Sequence, residues 1–413
     1  MPQTPERSLL LQELVAESAP RTSDAVTGNE VLPAAVNRSH AHALTIATIT
    51  RIEQLCELEP EWNQLLRSSS SNTVFLTWEW IATWWRVYGK SASLNVLVAR
   101  DHGTLVGIAP LKRIAVRLLG QEFDRIEFIG SGSDVTPEYL DVIVRRGYEA
   151  AVATAFAETL AAESRPHVLD LRPLRPDSVA VTHLESRLAN GGRSRRVLDA
   201  VCPVLDLPGS IEAFLQGRSR NYKKKIGEYQ RRCRRELAAT VRMSASQEDV
   251  RRDMEMLATL HRKRWGAQTR SFVSDEYIQF HQDLAKQALD HGWIRLFSLE
   301  SRSRTVAMLY CFAYDGHYYY YQGGWDPDFV RNRVGLVLMH QAIQQSIIDG
   351  ARVFDFLRGE EAYKGRWANR RLTNFRYTRW SSRRVRMANS VLHLANAWMR
   401  QQQMAATDLP GAR

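Results

Sequence analysis

The chain has 413 residues and a formal net charge of +11, with 44% hydrophobic and 24% charged residues. This composition is typical of soluble globular proteins and excludes collagen-like repeats, coiled coil and wholesale disorder. The longest run without a charged or strongly polar residue, 306–314, is far shorter than the roughly 18 residues of a membrane-spanning helix. Four separated cysteines and a short apolar stretch after Arg7 indicate neither a disulfide framework nor a secretory signal, so we expect a cytoplasmic protein.

The predicted elements of the first half begin after a tail. Residues 1–42 are rich in Ser, Ala, Pro and Thr and have no sustained periodicity, which predicts a flexible tail. A strand at 44–50 and a helix capped by Thr77 follow. The turn at 101–103 predicts a hairpin, and strands then alternate with helices up to about residue 189.

The second half is predicted to begin with a strand and a long basic helix at about 211–237, followed by two more helices. Three strands come next, and Asp315 and Gly316 predict a tight turn between the last two. A loop leads into a helix at 336–349, then a strand and a β-rich end.

The alternation of strands and helices predicts an α/β layered fold. The loss of pattern near 191–198 suggests a boundary between two domains. The predicted division is a flexible tail at 1–42, an N-terminal domain at 43–195, a C-terminal domain at 196–388, and a C-terminal helix and tail at 389–413.

The positive charge is concentrated in two segments. Arg218–Glu236 holds nine basic and two acidic residues, a net charge of +7, and Lys364–Arg386 holds nine basic and no acidic residues, a net charge of +9. Such segments attract anionic partners, here coenzyme phosphates, tRNA, a lipid headgroup or a nucleotide sugar. The alternatives are a solvated helix face for the first segment and a hairpin surface for the second.

No GxSxG, GxxxxGK[ST], GxGxxG or HExxH motif occurs, so hydrolase, nucleotide-loop and metal-site hypotheses have no local support, and no metal is expected. The region 310–367 is the most informative. Its loop brings Arg331, Arg333 and Gly335 to the start of a predicted helix. Free N–H groups and the helix dipole at such a position favour a phosphate or pyrophosphate.

Several motifs in this order resemble the CelD-like and FemAB-like branch of the GNAT acyltransferase superfamily. YYYYQGGWDP, VGLVLMHQAI and GARVFDFLRGEEAYKGRWA resemble the C-terminal domain, and FLTWEWIATWWRVYG and GSGSDVTPEYLDVIV resemble the N-terminal half. The resemblance covers about 44–380. It implies an α/β (α+β) fold with two tandem GNAT-like domains, each a mixed, mainly antiparallel sheet flanked by helices.

The resemblance also implies an acyl-CoA donor, usually acetyl-CoA, bound at the C-terminal domain. The usual pyrophosphate loop has the pattern [QR]xxGx[GA]. Here Val334 replaces the first glycine and Leu336 occupies the last position, which keeps an aminoacyl-tRNA donor open.

The implied reaction is attack of an amine or hydroxyl on a thioester carbonyl, which requires a base, oxyanion donors and an acid for the thiolate. We predict Asp355 or Glu360 as the base, because both follow a strand at its C-terminal end, and Tyr363 as the acid. The predicted donor-binding residues are Gln322, Gly323, Gly324, Arg331, Arg333, Gly335 and Leu336. The predicted substrate-binding residues are Arg358, Lys364, Trp367 and Asp141.

The leading hypothesis is therefore transfer of an acyl group, expected to be acetyl, from acyl-CoA to an amine or hydroxyl. The acceptor would be a sugar or small precursor used in exopolysaccharide or envelope synthesis. The alternatives are an aminoacyl-tRNA-dependent transferase, with tRNA on Arg218–Arg235, and a non-catalytic protein that binds anionic membrane or nucleic acid. The acceptor, the acyl length and the oligomeric state stay open.

Overall fold

The computed structural model describes residues 43–118, 120–189, 193–266, 269, 271–302 and 304–392. The predicted N-terminal tail at 1–42 and most of the predicted C-terminal helix and tail at 389–413 lie outside the described residues. Within them, no helix is both long enough and apolar enough to cross a membrane.

Strands and helices alternate along the described chain. The strands are β1 (Leu44–Ile49), β2 (Ser93–Leu94), β3 (Val96–Asp101), β4 (Thr104–Ala109), β5 (Leu111–Leu118), β6 (Gln121–Phe128), β7 (Ile143–Val144), β8 (His167–Leu174), β9 (Ser194–Asp206), β10 (Ala239–Met243), β11 (Ile294–Ser301), β12 (Arg304–Tyr314), β13 (His317–Trp325), β14 (Val353–Asp355) and β15 (Arg370–Trp380). The α-helices are α1 (Ile52–Cys56), α2 (Glu59–Arg67), α3 (Trp78–Tyr88), α4 (Glu149–Ala161), α5 (Glu185–Leu188), α6 (Ile211–Gln216), α7 (Arg220–Leu237), α8 (Gln247–Trp265), α9 (Asp275–Asp290) and α10 (Val334–Ile348).

The described strands form two sheets. The smaller sheet has the order β1-β3-β4-β7, and the larger has eleven strands in the order β10-β11-β12-β13-β14-β9-β15-β8-β6-β5-β2. Only the pairs β13 with β14 and β6 with β8 are parallel among these strands. The prediction of an α/β fold with mixed, mainly antiparallel sheets is confirmed.

The large sheet continues through the predicted domain boundary. β9 begins at Ser194, and β15, from the end of the described chain, lies between β9 and β8. Residues of both predicted halves therefore share one sheet. The division at residue 195 stays a prediction.

Side-chain caps fix several helix starts. The Thr77 hydroxyl accepts a hydrogen bond from the Trp80 N–H, as the sequence predicts. The prediction of one helix over 211–237 is wrong, because α6 ends at Gln216 and Ser219 starts a second helix by accepting a hydrogen bond from the Tyr222 N–H. Eight of the nine basic residues of this segment are thus on α7, and Arg218 lies in the link between α6 and α7.

The tyrosines of β13 divide between the two faces of the large sheet. Tyr318 and Tyr320 belong to one hydrophobic cluster, which also contains residues of α10. Tyr319 belongs to the other, with residues of α8 and α9. The register between β12 and β13 shifts between Tyr310 and Cys311 so that Tyr321 is the extra residue of a β-bulge. The bulge lies just beyond Tyr319, the last residue of β13 that pairs with β14.

Candidate functional site

The two parallel strands β13 and β14 separate after three residue pairs. The last pair joins Tyr319 to Asp355, where β14 ends. β13 continues to Trp325 without a β14 partner. The gap that opens there holds two adjoining cavities.

The large cavity has a volume of about 700 Å³ and lies between α7, the start of α10 and the end of β13. Four cationic side chains line it, those of Lys225, Arg264, Arg333 and Arg366, and no described carboxylate does. None of the four forms an ion pair with a carboxylate in the described part of the chain. The wall of the large cavity therefore carries positive charge that the protein leaves without a counter-charge.

The start of α10 also belongs to this wall. Val334, Gly335 and Leu336 line the large cavity, and no side chain caps the helix. The first N–H groups of a helix have no acceptor within it, and the helix dipole makes this end partly positive. An anionic ligand is the complement of such a wall.

The small cavity has a volume of about 280 Å³ and lies between β13, α8 and the turn that follows β14. Its wall is polar and includes Thr136, Thr269, Ser271 and Gln322. The charged side chains in the wall are those of Glu138, Arg264, Arg358, Glu361 and Lys364. This wall suits a small ligand with several hydrogen-bonding groups.

Three side chains line both cavities: Arg264, Tyr320 and Tyr363. The Arg264 guanidinium lies 5.5 Å from the centroid of the Tyr363 ring. Burial and the neighbouring Tyr320 raise the pKa of Tyr363 above its ordinary value. Tyr363 is therefore a neutral hydrogen-bond donor at physiological pH. We refer to these three residues as the junction.

Residues 220–365, which include most of both cavity walls, match the family described as the acetyltransferase (GNAT) domain. This stretch of the chain therefore belongs to the GNAT superfamily. The resemblance drawn from its sequence motifs is confirmed at this level. No curated protein matches the chain significantly in sequence.

Solved structures show the same fold. The crystal structure of FemX matches with a TM-score of 0.53 and 13% identity, over 81% of this chain and 96% of that chain. A conserved protein of unknown function from Bacteroides thetaiotaomicron matches with a TM-score of 0.53 and 9% identity, over 81% of this chain and 100% of that chain. At these identities the similarity concerns the fold alone.

Most of the predicted catalytic, donor-binding and substrate-binding residues line the two cavities. Gln322, Gly323, Arg358 and Lys364 line the small cavity, and Gly324, Arg333, Gly335, Leu336 and Trp367 line the large one. Tyr363 lines both. Arg331, Glu360, Asp355 and Asp141 line neither cavity.

The three glycines predicted to bind the donor, Gly323, Gly324 and Gly335, lie against other atoms of the protein. A Cβ atom on Gly324 would lie 2.4 Å from the backbone nitrogen of His261, and one on Gly323 would lie 2.6 Å from the Tyr320 hydroxyl. A Cβ atom on Gly335 would lie 3.1 Å from the Trp325 ring. These glycines permit close packing of α8, Tyr320 and Trp325, and they also line the cavities at which donor binding is predicted.

Asp355 is buried behind the small cavity. Its carboxylate accepts hydrogen bonds from the Tyr139 hydroxyl at 2.7 Å and from the Leu357 N–H at 2.8 Å. Burial raises the pKa of Asp355 to about 6, although both hydrogen bonds oppose the rise. Leu357 has a φ of +53°, so Asp355 holds the strained turn that carries Arg358.

Glu360 and Glu361 differ in position although they are adjacent. Glu360 is exposed and lies 3.5 Å from Arg371 outside both cavities. Glu361 lines the small cavity and pairs with Lys364 at 2.9 Å. The turn therefore brings Glu361 to the small cavity and leaves the predicted Glu360 outside it.

Asp141 stabilises the N-terminal half away from both cavities. Its carboxylate accepts hydrogen bonds from the Ser71 hydroxyl and from the N–H groups of Val179 and Ala180. Burial raises its pKa to about 6. Asp141 thus binds the backbone at the start of a helical segment.

Glu138 and Arg264 are site residues that sequence reasoning missed. Glu138 follows the polar loop of the N-terminal half, is fully buried, and pairs with Arg358. The Asn374 amide donates to it at 2.6 Å. Burial raises the pKa of Glu138 to about 7 against the effect of Arg358 and Asn374. The only signal was its place in the motif GSGSDVTPEYLDVIV.

His261 is a further site residue without a sequence signal. Its Nδ1 atom lies 3.2 Å from the Gly323 carbonyl, which can only accept, so Nδ1 carries the proton. Nε2 then accepts a hydrogen bond from the Thr269 hydroxyl at 2.8 Å. Burial and the nearby Arg264 lower the pKa of His261 to about 4. This neutral imidazole fixes α8 against β13.

Proposed function

We propose that this chain is an acyltransferase that moves an acyl group from a donor in the large cavity to an acceptor in the small cavity. The observation that carries the proposal is the junction of Arg264, Tyr320 and Tyr363, which lines both cavities. A group held on one side of the junction is within reach of a nucleophile on the other.

The donor that the large cavity supports best is an acyl-CoA, with acetyl-CoA as the simplest case. Its diphosphate and 3′-phosphate complement Lys225, Arg333 and Arg366, which have no described counter-charge. The uncapped start of α10 supplies N–H groups for the same anion. The four cations of this wall that have no described carboxylate partner match the negative charge of such a donor.

The acceptor proposed for the small cavity is an amine or hydroxyl of a sugar or small precursor of envelope polysaccharide. The hydroxyls of Thr136, Thr269 and Ser271 and the Gln322 amide suit a ligand with several hydroxyl groups. Gln322 is held in place by donating to the Ser271 hydroxyl at 2.9 Å.

Two side chains are assigned to proton movement. Glu361, the carboxylate of the small cavity that remains accessible, takes the proton of the attacking amine or hydroxyl. Tyr363 donates a hydrogen bond to the departing sulfur. Its raised pKa favours hydrogen bonding over complete proton loss. A C–N or C–O bond forms and the C–S bond breaks. The sulfur leaves as a thiolate that accepts the Tyr363 hydrogen bond and then takes a proton from water, while Glu361 returns to water the proton that it accepted from the nucleophile.

The donor half is tested by calorimetric titration of acetyl-CoA into three proteins. Arg333→Gln should weaken binding about tenfold, the scale of one charge-assisted hydrogen bond. Arg331→Gln is the matched control, because Arg331 is an exposed arginine of the same loop that does not line the cavity. Equal affinities of both variants and the native protein, or no binding of acetyl-CoA, would contradict the proposal.

The acceptor half is tested by thiol release from acetyl-CoA with a panel of amino sugars. Glu361→Gln should lower the rate about 100-fold or more and leave acetyl-CoA affinity unchanged. Glu360→Gln should have the rate of the native protein. A slow Glu360 variant beside an active Glu361 variant would reverse the assignment.

A second donor, an aminoacyl-tRNA, is favoured by the outer face of α7. Lys223, Lys224, Arg231 and Arg234 are exposed there and form no ion pair with a described carboxylate. Lys225, on the same helix, lines the large cavity. Salt-sensitive binding of tRNA, with no binding of acetyl-CoA, would replace the first donor by the second.

A further inference from the structure

Acyl transfer places negative charge on the carbonyl oxygen of the acyl group while the new bond forms. The electron pair of the carbonyl moves onto oxygen and returns when the C–S bond breaks. A cation fixed beside that oxygen lowers the barrier. Such a cation must lie at the junction, where the acyl group meets the acceptor.

Arg264 is the cation of the small cavity that has no described carboxylate partner. Arg358 is paired with Glu138 and lies 3.0 Å from Asp199. Lys364 is paired with Glu361 at 2.9 Å. Their charges are compensated within the fold, whereas the Arg264 charge is not.

Aromatic rings surround the Arg264 guanidinium. It lies 4.5 Å from the centroid of the Trp265 ring and 5.8 Å from that of Trp325, in addition to its contact with Tyr363. Such rings hold a planar guanidinium in place and cover part of it, and Arg264 is half-buried. Its attraction for a nearby negative charge is therefore less screened than at an exposed position.

Its place also distinguishes Arg264 from the other cations of the large cavity. Lys225, Arg333 and Arg366 line the large cavity alone, whereas Arg264 lines both cavities. A coenzyme's phosphates complement the first three. The acyl carbon must reach the acceptor across the junction, which is where Arg264 lies.

We propose that Arg264 is a catalytic residue that stabilises the negative charge on the acyl oxygen. This inference rests on the proposed function. In this scheme Tyr363 donates a hydrogen bond to the departing sulfur, and Glu361 accepts the proton of the nucleophile. Arg264 stabilises the negative charge on the acyl oxygen.

The test uses two stable analogues that differ in charge at the acyl position. S-carboxymethyl-CoA carries a carboxylate where the acyl group would be, and S-acetonyl-CoA carries a neutral ketone. The native protein should bind the carboxylate analogue about tenfold more tightly. Arg264→Gln should remove this preference and leave the affinity for S-acetonyl-CoA within about twofold, a change well below the tenfold scale of one charged contact.

Arg366→Gln is the matched control, because Arg366 is another cation without a described partner but lines only the large cavity. It should weaken both analogues equally and keep the preference. Arg264→Lys keeps the charge and should retain part of the preference for the carboxylate analogue. Thermal melting of both Arg264 variants checks that they are folded.

Three results would overturn the inference about Arg264. No preference in the native protein, or equal weakening of both analogues by Arg264→Gln, overturns the inference while the proposed function stands. The second result would place Arg264 on the coenzyme phosphates. Failure of the native protein to bind either analogue overturns the proposed acyl-CoA donor, and with it the role of Arg264.

Discussion

The two basic segments carry similar charge, but the elements that they form, α7 and β15, differ in how the fold uses that charge. Each holds nine basic residues. In β15, Arg370 pairs with Asp206 at 2.7 Å and Arg376 pairs with Asp170 at 2.6 Å. On α7, most cationic side chains have no described carboxylate partner. Net positive charge therefore indicates a binding surface only where the cations have no carboxylate partners within the fold.

The cause lies in the neighbours of each element. β15 is inserted between β8 and β9 and meets the carboxylates that those strands carry. α7 packs through Ile226 and Cys233, and its remaining faces point to solvent or to the large cavity. β15 therefore stabilises the fold, whereas α7, together with Arg366 just before β15, remains available to an anionic ligand.

The largest effect is expected in β15. Arg376→Gln removes two charge-assisted hydrogen bonds from the buried Asp170 carboxylate and should lower the free energy of unfolding by about 3 kcal/mol. Urea denaturation measures the loss. Adding Asp170→Asn should recover part of it, since no buried charge is then left behind. A loss in the double variant equal to the sum of the single losses would refute the coupling.

The next largest effect depends on pH. It concerns Glu138, whose carboxylate accepts a hydrogen bond from the Asn374 amide of β15. The folded-state pKa of about 7 exceeds the ordinary value of 4.5, so the folded state binds the proton more tightly. The stability contribution is present below pH 4.5 and is lost as the pH rises through 7. The stability of the native protein relative to Glu138→Gln should therefore fall between pH 5 and pH 8. A constant difference in unfolding free energy across this window would contradict the expectation.

A smaller effect is expected on α7 and on ligand binding. Lys225→Gln should weaken the donor about threefold to tenfold and leave thermal stability unchanged. Lys223→Gln is the matched control outside the cavity. For acetyl-CoA only Lys225 should matter, whereas for a polyanion that extends along α7 both lysines should, with a strong dependence on salt. The titrations in low and high salt separate the two donors.

The smallest effect is expected at the exposed end of β15. Arg371 and Glu360 form a surface pair in which both side chains are more than half exposed. Arg371→Gln should change the free energy of unfolding by less than about 0.5 kcal/mol. A loss comparable to that of Arg376→Gln would show that burial is not what separates the two pairs.

Local patterns in the sequence predicted the caps, the hairpin turns and the three-stranded meander, because these depend on neighbouring residues. The hydroxyl of Thr77 and the turn at Asp315 and Gly316 are examples. The break between α6 and α7 was missed, because the amphipathic pattern hides the cap at Ser219. The passage of β15 between β8 and β9 was also missed, since pairing over that separation leaves no local signal.

For the site, the sequence located the region of β13, the start of α10 and the turn after β14, and it supplied Arg333, Tyr363 and Lys364. It did not distinguish Glu361 from Glu360 or Arg333 from Arg331. Such choices depend on which way a turn points its side chains. Glu138 and Arg264 come from distant parts of the chain, and only their meeting at one cavity makes them candidates.

Composition, periodicity and ordered motifs are local properties, and they were enough to indicate most element types, the GNAT domain at 220–365 and the places where positive charge accumulates. The folded structure was needed to see which charges are neutralised, which glycines serve packing, and that two cavities share Arg264, Tyr320 and Tyr363. The physical reason is that ion pairing, desolvation and cavity shape depend on distances between residues far apart in the chain.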